Sequence, residues 1–198
     1  MAFKWCNVPF GNLIYYGKSD DCHVGCLTAG GRIWPVAFSF LATAPRTESV
    51  MPSVHDVAAY ILERRGRMTA IKLQKLVYYS QAWSLVWDEE PLFPERIEAW
   101  VNGPVVPDLY NAHRGQFIID RWPRGNPDSL TAAQKDTVEM VVDFYGTKSS
   151  AWLSELTHRE DPWRNARRGL EPLERGSREI ALDSMAEYYG TLAASPHE

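Results

Sequence analysis

Cys22-His23, followed at Cys26 by a second thiol and preceded by Cys6, brings together the residue types that hold zinc. The second half of a tetrahedral site lacks its paired spacing, so the three cysteines are read as unliganded thiols. Gly11–Ser19, GNLIYYGKS, has the outline of a phosphate-binding loop. Five residues separate its glycines where the pattern has four, however, and no clear strand leads into it. In the rest of the chain, His158, Glu160 and Asp161 come nearest to an acid–base cluster, the minor enzymatic alternative. They have no HExxH, nucleophile elbow, CxxC pair or glycine-rich phosphate loop beside them. Three polar residues ahead of Pro162 are also an ordinary way to finish a helix. The sequence therefore points away from an enzyme and implies neither metal nor cofactor.

The elements that would position such residues are organised around Thr69–Trp87, TAIKLQKLVYYSQAWSLVW. Thr69 is a helix N-cap, and no glycine or proline interrupts the segment before Pro91. At helical spacing, Leu73, Leu76, Val77, Trp83 and Trp87 share a face with Ser80 and Ser84, while Ile71, Tyr78, Ala82, Leu85 and Val86 cover the opposite one. A narrow strip of Gln74, Gln81 and Asp88 remains polar, with Lys72 and Lys75 near the start. A helix with so little polar surface is buried on several sides. The expected fold is mainly α: a compact helical domain around a central buried helix at about 69–88, with a short strand and turn inserted near 96–106.

Residues 1–50 differ in character from the remainder of the chain. They scatter Gly, Cys and aromatic residues without a sustained period. Ile33–Ala44 imitates a secretory signal, but Pro35 breaks the run and the preceding segment is too long for an n-region. We read 1–50 as an N-terminal extension, disordered or upstream of a natural start at Met51, then a domain over 51–194 and a frayed tail at 195–198.

Within that domain, Ser53 and Asp56 form a capping box for a helix ended by Gly66 in the left-handed conformation. Ile97, Ala99 and Val101 alternate with Glu98, Trp100 and Asn102, giving a short strand, and Asn102-Gly103-Pro104 a turn. Pro107 opens a helix carrying Leu109, Tyr110 and His113. Residues 116–129 read as a loop or small hairpin. Thr131 and Gln134 form a second capping box, a further helix starts at Ser149 or Ser150, and the last runs from Ser177 with Ala181, Met185, Tyr188 and Leu192.

The net charge is −4 and the excess of acidic side chains lies after residue 50, which argues against non-specific nucleic-acid binding as the main activity. No apolar run is long enough to span a membrane, and the absence of cysteine from the main body suits a reducing cytoplasm.

Ile71–Tyr79 (IKLQKLVYY), Pro91-Leu-Phe, Ile97–Tyr110 (IEAWVNGPVVPDLY), Leu153–Trp163 (LSELTHREDPW) and Tyr188-Tyr189 succeed one another in an order that resembles the Panacea domain, the family of SocA-like and GepA-like proteins often carried by prophages. The resemblance covers about residues 53–192. It implies a helical antitoxin of a toxin–antitoxin system that neutralises a cognate protein toxin by direct contact, with delivery of a client to a ClpXP-type protease as the alternative. It supplies no catalytic set. Some relatives carry a DNA-binding helix-turn-helix, and residues 1–50 have no such pattern. The family's GPVVP segment falls on Gly103–Pro107; with its aromatic neighbours it makes Trp100, Gly103, Pro104, Val105 and Tyr110 the candidate partner-binding residues, since aromatic side chains dominate binding hot spots.

Overall fold

A computed structural model describes residues 5–8, 11–14 and 51–195, in two compact units, 1–50 and 51–198. In the first unit, β1 (Trp5–Val8) pairs antiparallel with β2 (Gly11–Ile14), with Trp5 opposite Ile14. Gly11 of the P-loop-like stretch thus begins a strand. The readings placed on Gly17–Ser19, Cys22–Cys26, Ile33–Ala44 and the tail at 196–198 lie outside the described residues.

The second unit is mainly helical, as the apolar periodicity predicts. α1 (Val54–Arg65) starts at the Ser53 capping box, in which Asp56 accepts from the Ser53 backbone N–H at 2.8 Å. It ends at Gly66, whose φ of 74° is positive as expected. Its ψ of −160° places it outside the left-handed helical basin, in a region essentially restricted to glycine. β3 (Met68–Thr69) leads straight into α2 (Ala70–Trp87), capped by the Thr69 hydroxyl. α2 is the central helix: every residue from Leu73 to Ser84 is buried, and α1 and the helices at Ala132–Tyr145, Ser150–Arg159 and Leu182–Ala194 pack around it. Burying each large apolar side chain contributes about 1.5–3 kcal/mol, and Leu73, Leu76, Val77, Tyr78, Tyr79 and Trp83 are all fully enclosed.

Of the polar strip on α2, Gln74, Lys75 and Gln81 are buried, while Lys72 and Asp88 at its ends are half-exposed. Gln81 is buried, accepts the N–H groups of Leu92 (2.9 Å) and Phe93 (3.1 Å) and donates to the Phe93 carbonyl (3.1 Å). It satisfies the backbone of the Pro91–Pro94 loop, which turns the chain back along the helix. Ser84 donates to the Glu90 carbonyl at 2.8 Å and holds the same loop.

β4 (Glu98–Trp100) and β5 (Gly103–Val105) form an antiparallel hairpin with Trp100 opposite Gly103. The turn therefore falls at Val101-Asn102; Gly103 and Pro104, expected in the turn, belong to the returning strand. α3 (Pro107–His113) begins at proline, as its fixed φ favours. In the stretch expected to be a loop or small hairpin, β6 (Ile118–Ile119) pairs back to β3, and Pro127–Ser129 makes a turn of 3-10 helix. α4 (Ala132–Tyr145) starts at the Thr131–Gln134 capping box, and α5 (Ser150–Arg159) at Ser149. Glu160 separates α5 from α6 (Asp161–Ala166).

The last helix, α7 (Leu182–Ala194), starts later than Ser177. The intervening residues run extended along β4, with the Ala99 N–H bonded to the Arg178 carbonyl and the Ile180 N–H to the Ile97 carbonyl, both at 2.8 Å. Backbone pairing to a strand some eighty residues away wins over local helix propensity there. The face that α7 buries holds Met185 and Tyr189, while Tyr188 and Leu192 are half-exposed.

Candidate partner-binding cleft

The β4–β5 hairpin, the start of α2, the end of α3 and the segment 175–177 enclose an open cleft of about 790 Å³. Gln74 and Lys75 reach it from α2. The Gln74 amide group accepts from the Val106 N–H at 2.9 Å and contacts His113 Nε2 at 3.1 Å, so it fixes α3 to the central helix. Lys75 is buried and donates from Nζ to the Pro104 carbonyl at 3.0 Å. Loss of water pushes its ammonium down to about 7, against a smaller upward pull from Glu160. Desolvation also lowers the pKa of His113.

Of the five expected contact residues, Trp100, Val105 and Tyr110 line the cleft and are half-exposed. The Trp100 and Tyr110 rings meet edge to face with centroids 4.8 Å apart, and the Trp100 indole N–H donates to Glu98 Oε2 at 2.8 Å. Glu98 is itself buried and ion-paired to Arg96 at 2.9 Å. Gly103 and Pro104 are buried beneath this wall. Gly103 has φ of 101°, and a Cβ there would come within 2.3 Å of Lys75 Nζ and 2.7 Å of Thr157 Oγ1. The glycine thus serves to let the hairpin close over Lys75. Sequence reasoning missed the opposite wall: Ile71 (41% exposed), Arg114, Phe117 (71% exposed) and Arg175. These residues carry no local pattern; the β3–β6 pairing, the bond from the Ala70 N–H to the Phe117 carbonyl at 3.0 Å and the Gln74–His113 contact bring the 114–117 segment beside α2.

The order of elements in this region, a buried helix, a Pro-bounded hairpin, a short helix and the α5–α6 hinge, is the order of motifs that suggested a family. Residues 73–164 match the family of the antitoxin SocA-like Panacea domain. No curated protein and no solved structure matches the chain. The Panacea match bears out the resemblance read from the motifs over a narrower span. It begins within α2 and ends within α6, so it contains both the hairpin wall of the cleft and the Gln74–Lys75 floor. The match spans 92 of the 198 residues, and the family it points to is one of SocA-like antitoxins.

Within the Panacea segment the acid–base trio is dispersed. His158 stacks on Trp163 with centroids 4.3 Å apart, and Asp161 pairs with Arg164 at the surface. Glu160 instead turns into the core, where it accepts the hydroxyl of Tyr189 at 2.7 Å and that of Tyr79 at 3.2 Å. Burial pushes its carboxyl up to about 7, although the two tyrosine bonds and Lys75 pull the other way. Tyr79 stacks on Tyr145 at 4.1 Å, and the Trp83 indole donates to the Tyr145 hydroxyl at 3.2 Å. Glu160 thereby joins α2, the α5–α6 hinge and α7 through one enclosed polar group. Its bonding is that of a core anchor, distinct from the cleft.

Proposed function

We propose that this protein is the antitoxin of a toxin–antitoxin pair and neutralises a cognate protein toxin by direct binding in the cleft beside the hairpin. The reaction is association without turnover, it uses no cofactor, and it takes place in the cytoplasm. No described helix is long and apolar enough to cross a membrane. The observation that carries the reading is the Trp100–Tyr110 wall facing Arg114, Phe117 and Arg175, inside or beside the Panacea match. Trp, Tyr and Arg are the residues that concentrate binding energy at protein interfaces. Gly103 and Pro104 support this wall from beneath, while Trp100, Val105 and Tyr110 make the contact.

A growth assay tests it. The open reading frame adjacent to this gene is expressed alone, then with the full chain, then with residues 51–198. Arrest by the neighbour, relieved by both versions, is expected, and relief by 51–198 would mark residues 1–50 as dispensable. A harmless neighbour, or arrest that persists beside a well-folded full chain, refutes the antitoxin reading. Repeating the assay in a host lacking a ClpXP-type protease separates blocking, which survives, from delivery to the protease, which does not.

A further inference from the structure

The polar groups on the floor of the cleft are already satisfied. Gln74 is bonded to Val106, Lys75 to Pro104, and Glu98 to both Arg96 and Trp100. An occupant therefore gains nothing by placing polar atoms deep in the cleft, and the exposed apolar surface of Ile71 and Phe117 favours apolar ones there. The rim differs. Arg114 and Arg175 are exposed and have no carboxylate partner among the described residues. Arg114 and Arg175 are the exposed cations lining the cleft, Lys75 is a buried amine whose value burial lowers to about 7, and Glu98 is the one acid there, in a chain whose net charge is −4. The one acidic member is neutralised by Arg96, so the local field at the mouth is positive on an otherwise acidic protein.

From this charge pattern we propose that the cleft takes a short partner segment in which apolar or aromatic side chains are flanked by aspartate or glutamate. The apolar side chains lie against Trp100, Tyr110 and Phe117, and the carboxylates engage the guanidinium groups of Arg114 and Arg175. Guanidinium is suited to that task because its planar donors meet a carboxylate in pairs. The proposal rests on the partner-binding reading above and specifies the chemistry of what is bound.

A phage-displayed library of random peptides of about twelve residues, long enough to cross such a groove, is selected on the immobilised full chain. Enriched peptides should place Leu or an aromatic residue beside Asp or Glu. A synthetic peptide of that kind should bind the Arg114→Glu/Arg175→Glu double variant about tenfold or more weakly, with the circular dichroism of the protein unchanged. Replacing the peptide's carboxylates by lysine should restore binding to that variant. Both substitutions are at exposed positions, so folding is expected to survive them; Arg114→Gln/Arg175→Gln provides a milder pair with the same direction of effect.

Three results would overturn the proposal: enrichment of neutral or basic peptides, or of none; binding indifferent to charge reversal; or a dimer, seen by light scattering, that Phe117→Asp dissolves, which would make a second copy of the chain the occupant. The two readings fail separately. A harmless neighbouring gene removes the antitoxin role and leaves the peptide result intact, whereas toxin neutralisation unaffected by the double variant removes the acidic segment and leaves the antitoxin role intact.

Discussion

Glu160→Gln should remove a pH dependence that the wild-type fold carries in its core. The carboxyl ionises near 4.5 in the unfolded chain and at about 7 in the folded one, because burial opposes its charge. Between those values the native state keeps a proton that the unfolded state has released. Stability therefore falls as pH rises through the window, and the loss is complete above 7. At about 1.4 kcal/mol per tenfold change in proton activity, the cost comes to roughly 3 kcal/mol, a large part of a domain's stability. Glutamine keeps an oxygen for the Tyr79 and Tyr189 hydroxyls and has no proton to lose. His113 and His158, both lowered by desolvation, titrate in the opposite sense. They are common to both proteins and largely cancel in the difference. Urea unfolding followed by tryptophan fluorescence, at intervals from pH 4.5 to 8, should show the variant gaining roughly 3 kcal/mol on the wild type across that range. Parallel profiles would refute the reasoning, because they would mean that Glu160 ionises alike in both states.

Lys75 predicts the opposite slope at higher pH. Its folded value of about 7 lies below the ordinary 10.5, so the stability of the wild type relative to Lys75→Met should rise with pH from 7 towards 10 in the same unfolding series, the buried tyrosines, whose folded values are raised, being common to both proteins. Gly103→Ala forces a Cβ onto Lys75 and Thr157 at a positive φ; a loss of about 2 kcal/mol or more is expected from the urea midpoint, and an unchanged midpoint would contradict the packing described. Gln81→Leu strands the buried N–H groups of Leu92 and Phe93, and should cost about 2–4 kcal/mol by the same measurement.

Where chemistry is local, the sequence was readable. The caps at Ser53, Thr69, Thr131 and Ser149 each join residues three apart, and proline at position 107 fixes its own backbone. The central helix was legible because nearly every position on it is apolar. Less legible were the features whose partners lie far along the chain. Gln81 and Gln74 look like a solvent-facing strip until the backbone they bind, 11 to 32 residues on, is placed against them. Lys75 gave one signal, a cation on an otherwise apolar helix, but nothing local links it to Gly103. The β3–β6 pair is only two residues long on each side, too short for alternation to register. Half of the cleft followed from the Trp100–Tyr110 segment. The other half, Arg114 and Phe117, depends on that pair, and Arg175 on the extended run beside β4.

The most direct test of the account is the affinity between the full chain and the product of the adjacent toxic gene, measured by titration calorimetry for the wild type and Trp100→Ala. Truncating an anchor at the centre of an interface costs about 2 kcal/mol or more, which is about thirtyfold in Kd. The account predicts that loss with the variant still folded, since Trp100 is half-exposed; its indole donates to the buried Glu98, so a modest fall in melting temperature accompanies the substitution. Unaltered affinity, or a variant that fails to fold, would contradict the assignment of this wall as the contact surface.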